Sequence, residues 1–285
     1  MNKPKIAVVV HACDKYQLLF RGFIYFFEKY WPIELHAFSF SLYFLTENTE
    51  IEDTLFNVIK TGTQEWSERL RTGLNHIREE YIIYFQEDMW LKEKVDANTL
   101  EQLLTFTFAR QIEHLKLHNS DHYFPHHTET IINGLPLSEL DNAKSGFLLS
   151  HQITFWKKSA LLQQMPRVET ALQSETDGLI RIRKENLPVH QINLIRGNET
   201  IHEGSIGMSG QSLYFAISSG GSLNKMTLPF IHELLQSTDL KIVAYANTLQ
   251  YHYDNHLTHD GKPVPQPNPV IKRVKQIAKF ILGKS

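Results

Sequence analysis

Five apolar residues in a row, Ile6-Ala7-Val8-Val9-Val10, give way to polar Asp14-Lys15, which predicts a buried strand over residues 6–11. From residue 16 to 30 the spacing becomes helical, with Leu19, Phe23, Phe26, Phe27 and Tyr30 on one face. Trp31-Pro32 ends that helix, because the residue before a proline avoids helical backbone. Residues 36–45 predict a second strand, closed by Thr46-Glu47-Asn48. Residues 66–79 return to helical spacing: Trp66, Leu70, Leu74 and Ile77 share a face, and Arg69 and Arg71 lie off it. Tyr81-Ile82-Ile83-Tyr84-Phe85 then runs straight into Gln86-Glu87-Asp88. Strand, helix, strand, helix, strand is the order of an α/β fold with a mostly parallel central sheet flanked by helices. Ligands of such sheets bind beyond the carboxyl ends of the strands, which is where Glu87 and Asp88 stand.

The pattern after residue 91 is less regular. Residues 97–117 predict a helix, and 118–145, with Pro125 and Pro136, an irregular stretch. A strand is expected over 150–156, a short helix over 159–165, and a mobile loop over the glycine- and serine-rich 204–221. Four prolines between 263 and 269 read as an extended linker. No internal repeat is visible. The reading divides the chain into a catalytic-type domain over 1–260 and a linker with a terminal helix over 261–285.

Composition narrows the class. The 285 residues are 42% hydrophobic with 17 Phe, 11 Tyr and 4 Trp, which suits a packed core and excludes a low-complexity chain. A lone cysteine, Cys13, excludes a disulfide framework or a cysteine-rich zinc site and fits a reducing compartment. The opening apolar run is too short for a signal peptide, and no stretch reaches the roughly 20 apolar residues of a membrane span. The net charge is −2, yet residues 261–285 hold six basic residues and no acid, so the chain before them carries −8. An acidic body with a basic tail excludes nucleic acid as the default partner. Within the tail, Val270, Ile271, Val274, Ile277, Ala278, Ile281 and Leu282 fall on one helical face, and Lys272, Arg273, Lys275 and Lys279 occupy the rest. That is the pattern of a basic amphipathic helix lying on an anionic membrane surface; docking on the domain or on a second subunit is the other use of such a face.

The adjacent carboxylates are the first candidate chemistry. Two acids at the end of a buried strand are costly unless a cation faces them. Hard Mg²⁺ or Mn²⁺ takes one or two carboxylates and completes its shell with water and phosphate oxygens. The alternative is a strand end with two solvated acids. In this strand-to-acid segment, residues 81–91, the chain resembles the GT-A glycosyltransferases, in particular bacterial enzymes of surface polysaccharide (capsule and lipopolysaccharide) synthesis. There a strand-ending Asp-x-Asp, or a shortened Glu-Asp or Asp-Asp, holds metal and sugar nucleotide. The opening strand running into Ala12-Cys13-Asp14-Lys15-Tyr16, and Trp66-Ser67-Glu68-Arg69-Leu70, are similar to the family too. Gln86 stands where a full Asp-x-Asp would have its first acid.

The resemblance implies a GT-A-like fold and a nucleotide-diphosphate sugar as donor. It implies a metal at Glu87 and Asp88, and a saccharide or lipid-linked acceptor at the inner face of the membrane. By position, His11, Ala12 and Asp14 would hold the nucleoside and Arg69 the diphosphate. Asp14 also suits a helix N-cap, and Arg69 a solvated helix arginine. The family's Trp-Lys-Lys segment, followed by an acid near the acceptor, is matched by Phe155-Trp156-Lys157-Lys158 and then Glu169, Glu175 and Asp177. Glu175 is the first candidate for the catalytic base and Asp177 the second, with solvated loop acids as the other reading. A non-catalytic GT-A-like, membrane-associated partner protein remains a different class of function. Nucleotidyl transfer predicts a glycine-rich phosphate loop after the first strand, and residues 11–15 contain no glycine.

Two histidine groups stand apart. His114, His118, His122 and His126 recur every fourth residue, beside Asp121 and His127, and on one helix would offer a zinc face. Asn119-Ser120-Asp121 and Pro125 argue against a helix continuing that far. His252, Asp254, His256 and His259 form the second group.

Overall fold

The computed structural model describes residues 3–52, 54–195 and 213–264. The segment 265–285, with most of the proline linker and the whole amphipathic tail, lies outside them, as does 204–212 of the expected loop.

The opening run forms β1 (Lys5–His11), and the chain passes through a short 3₁₀ turn into α1 (Gln17–Tyr30). β2 (Ser39–Thr46), β3 (Asn57–Lys60), α2 (Trp66–His76) and β4 (Tyr81–Gln86) follow. β3-β2-β1-β4 lie side by side and run parallel. Alternation along β1 feeds two cores: Ile6, Val8 and Val10 join one hydrophobic cluster, while Ala7 and Val9 join another. Phe23, Phe26 and Phe27 of α1 complete the first; Leu70 and Leu74 of α2 complete the second. Each buried side chain of this size contributes about 1.5–3 kcal/mol. Gly22 lets α1 pack closely on the segment that follows β4, since a Cβ there would lie 2.1 Å from the Trp90 ring.

After β4 come β5 (Met89–Leu91) and α3 (Ala97–Arg110). The helix expected over 97–117 stops at Arg110. Gln111 turns the chain with φ 55°, and β6 (His114–Lys116) follows as a strand. All three residues of β6 are buried because it lies inside the sheet, and a short interior strand shows no alternation to distinguish it from helix. The stretch expected to be irregular contains a hairpin, β7 (Pro125–Ile132) and β8 (Leu135–Leu140). Its turn is Asn133-Gly134, both with positive φ, the strongest short-range hairpin signal in the chain. β7 is an exposed edge strand, so its polar composition concealed it.

β9 (Thr154–Lys157) begins four residues later than expected, and α4 (Lys158–Gln163) follows it. α5 (Ala171–Glu185), opened by a capping box between Thr170 and Gln173, carries Glu175 and Asp177, which are therefore helix residues and not loop acids. β10 (His190–Gln191) completes the nine-stranded sheet, in the order β3-β2-β1-β4-β9-β6-β10-β8-β7. β9 is antiparallel to β4 and β6, so the sheet is parallel through its first half and mixed through its second. β11 (Tyr214–Ala216) pairs with β5, and α6 (Leu228–Leu235) and α7 (Leu240–Asp254) close over the first core. Gly220 and Gly221, both with positive φ, turn a small hairpin between Ser218–Ser219 and Ser222–Leu223. Among the described residues no helix is long and apolar enough to cross a membrane.

Candidate functional site

His11 and Gln86 are register partners at the ends of β1 and β4, so the two strands stop together and open on one edge. There a cavity of ≈ 300 Å³ is bounded by His11, Ala12 and Cys13, by Trp66 and Arg69 from α2, by Gln86, Glu87 and Asp88, by Ala171, and by 218–220. The chain thus brings five of the expected site residues together: His11, Ala12, Arg69, Glu87 and Asp88. Asp14, Glu175 and Asp177 do not line the cavity.

The turn that carries the two carboxylates is fixed by its backbone. Trp90 Nε1 donates to the Glu87 carbonyl at 3.0 Å, and the Ile217 amide donates to the Asp88 carbonyl at 3.0 Å. Glu87 is buried and Asp88 half-buried, and among the described residues neither forms an ion pair within 4.0 Å. Burial, then the charge of Asp88, pushes Glu87 well above the usual carboxylate range, against the opposing pull of Arg69 and the Cys13 amide. Burial raises Asp88 as well, to about 6. The donor set fits a divalent cation: two adjacent acids, short of water and of any bonded cation, facing a cavity that a phosphate can enter.

Arg69 is not off the buried face of its helix, as the spacing predicted; it is 6% exposed. Its Nη1 donates to the Ala12 carbonyl at 2.7 Å and lies 3.7 Å from Glu47, while its Nε is buried without a partner. The guanidinium therefore ties α2 to the end of β1 and keeps a donor in reserve beside the cavity. His11 stacks near Trp66, with centroids 5.1 Å apart, and faces the Tyr84 hydroxyl at 3.4 Å. Burial, then the charges of Arg69 and His151, hold it neutral.

Asp14 is neither free nor capping its own helix. Its carboxylate accepts from the amides of Glu47, Asn48 and Thr49 at 2.8–3.0 Å, and Glu47 returns a bond to the Asp14 amide. It shapes the loop after β2. Glu169 is sealed against Arg181 and Arg167, and Asp177 is held by Arg167. Glu175 accepts from the His151 amide at 2.9 Å and is raised by burial, opposed by that bond and by Lys116.

Sequence reasoning missed the group behind this wall. The His151 ring lies 4.0 Å from Trp66, and burial brings it down to about 3. Lys116 is fully buried, donates to Ser150 Oγ at 2.8 Å and is drawn down by burial to about 7. A lysine inside an interior strand is the one sequence signal that was available here. The histidine series does not share a helix face: His114 is on β6, stacked on Trp156 at 3.6 Å, and His118 bonds the Tyr123 hydroxyl at 3.0 Å. In the second group, His259 bonds Ser218 Oγ at 2.7 Å and packs on Tyr16, at the rim of the cavity.

No protein-family model matches the chain, and no curated protein matches it. Among solved structures, S. aureus TarS is similar, at 12% identity and a TM-score of 0.45, over 88% of this chain and 43% of its own. The present chain thus spans less than half the length of that structure. TarS 1–349 in complex with UDP-GlcNAc is similar at 11% identity and a TM-score of 0.47, over 88% of this chain and 72% of its own.

Proposed function

We propose that this chain is a GT-A-like glycosyltransferase. In this reading it moves a sugar from a nucleotide-diphosphate donor to a saccharide or lipid-linked acceptor in cell-surface polysaccharide synthesis. The observation that carries the reading is the Glu87–Asp88 pair: one buried and one half-buried carboxylate, without an ion-pair partner among the described residues, at the carboxyl end of β4 and lining a cavity beside Arg69.

Asp88 and Glu87 would hold Mn²⁺ or Mg²⁺. That ion, when bound, neutralises charge gathering on the diphosphate leaving group. Arg69 offers its spare donor to the same phosphates. His11 and Ala12 wall the nucleoside site, with His11 neutral and pressed against Trp66. Asp14 acts at one remove, by fixing the 47–49 loop. An acceptor hydroxyl attacks the anomeric carbon, the bond from that carbon to the diphosphate oxygen breaks, and the hydroxyl proton passes to a carboxylate. Glu175 is the first candidate for that base and Asp177, held by Arg167, the second; neither lines the cavity, so the acceptor would have to reach past its wall. The basic segment 269–285 would keep the enzyme on an anionic inner membrane surface, beside a lipid-carried acceptor.

Thermal stabilisation by UDP, GDP, CMP and dTDP species, with and without Mn²⁺, tests the donor site. One nucleotide should give a metal-dependent shift that Asp88→Ala abolishes; no shift with any of them sinks the reading. Donor hydrolysis then separates an enzyme from an inert module. Glu175→Gln should stop turnover and leave the thermal shift in place.

A further inference from the structure

At the opposite end of the sheet, His127 of β7 is the register partner of Glu139 on β8, and Glu139 is the register partner of His190 on β10. Directly opposed residues on neighbouring strands share a face, so imidazole, carboxylate and imidazole stand in one row. Two irregularities flank His127 on β7, one between Pro125 and His127 and one between Thr128 and Thr130. The second leaves Glu129 outside the ladder, and such bulges re-aim side chains. Glu129 Oε1 accordingly lies 2.7 Å from His127 Nε2, with Glu139 Oε2 at 3.9 Å.

These three side chains offer ligand atoms that all lie within 4.8 Å of one another. His190, the register partner of Glu139, is not one of that group; its Nδ1 is buried and makes no hydrogen bond. His190 and Glu129 both line a cavity of ≈ 410 Å³ that gives access from outside. Two carboxylates held together on one face repel, and among the described residues neither has a Lys or Arg within 4.0 Å. Arg110 borders the cavity but sits over the Phe106 ring.

We infer that His127, Glu129 and Glu139 form a binding site for one zinc ion, separate from the Glu87–Asp88 cavity and independent of the glycosyltransferase reading. One imidazole nitrogen and two carboxylate oxygens, with water in the fourth position, suit zinc and do not suit all-oxygen Mg²⁺. Ligands about 2.0–2.2 Å from a tetrahedral zinc stand roughly 3.4 Å apart. The observed 2.7 and 3.9 Å bracket that spacing, so small side-chain rotations close the site. Bound there, the ion clamps β7 to β8 across the hairpin.

The test is titration of the EDTA-stripped full chain with Zn²⁺ by calorimetry, together with visible absorption of the Co²⁺ form. Wild type and Asp88→Asn should bind one equivalent and show the bands of tetrahedral cobalt. His127→Ala, exposed enough to leave the circular dichroism spectrum unchanged, and Glu139→Gln should each weaken binding at least ~10-fold. Equal affinity in both variants overturns the inference, as does absence of binding. Loss of the zinc equivalent in Asp88→Asn also overturns it, because the ion then belongs to the other carboxylates.

Discussion

Glu169, just ahead of α5, has its side chain sealed to 1% exposure between two guanidinium groups, with Arg181 at 2.7 Å and Arg167 at 3.0 Å. Glu87, at the end of β4, is 7% exposed, has Asp88 beside it, and meets no Lys or Arg within 4.0 Å among the described residues. The first arrangement belongs to structure: Glu169 also exchanges bonds with Ser67 and so joins α5 to α2. The second gives up stability at a cavity mouth, and in the proposed reading a metal ion would offset that cost.

Removing the partner of the sealed acid is the harshest way to probe this contrast. Arg181→Ala leaves buried Glu169 with only the solvent-exposed Arg167 as partner, and chemical denaturation should report a loss of about 3 kcal/mol, the low end for breaking a buried pair. Next in size is ligand linkage at the unpaired acids. With Mn²⁺ and the correct nucleotide at about a hundredfold excess over Kd, wild type should gain about 2.7 kcal/mol, and Asp88→Asn nothing.

A smaller effect has the opposite sign from the usual mutation. Asp88 binds its proton more tightly folded than unfolded, so the benefit is complete below pH ~4 and disappears as pH rises through about 6. Asp88→Asn should therefore stabilise the metal-free protein at pH 7.5, on the order of 1–2 kcal/mol after allowance for its partial exposure, and change little at pH 4. Equal stability at both pH values would break the comparison. The mildest change is Arg167→Ala: Arg167 reaches Glu169 and Asp177 from solvent, with its side chain 64% exposed, and Arg181 remains to hold Glu169. Its melting temperature should match wild type within measurement scatter.

The first ninety residues were legible because each signal there is local. β1 and β4 are unbroken apolar runs, α1 and α2 repeat on one face, and the acids follow the strand directly; only the short, half-exposed β3 gave no signal. Legibility failed where burial came from neighbours far along the chain. β6 lies between β9 and β10, so all its positions are covered and neither period appears. β7 is an exposed edge, and its polar sequence resembled a loop although Asn133-Gly134 announced the turn. The capping box of α5 was also in plain view, with Thr170 and Gln173 at the right spacing.

By itself, the sequence determined the α/β alternation, the carboxyl-end position of Glu87 and Asp88, and the residue types able to act there. Periodicity and strand-end placement are properties of contiguous residues. Only the tertiary structure decided that Arg69 is buried against Ala12 and that Asp14 is bound to the loop after β2. It alone set His151 between Trp66 and Glu175, and aligned His127, Glu139 and His190 in one row. Those facts depend on which strands become neighbours and in what register, and register is fixed by packing across the whole sheet.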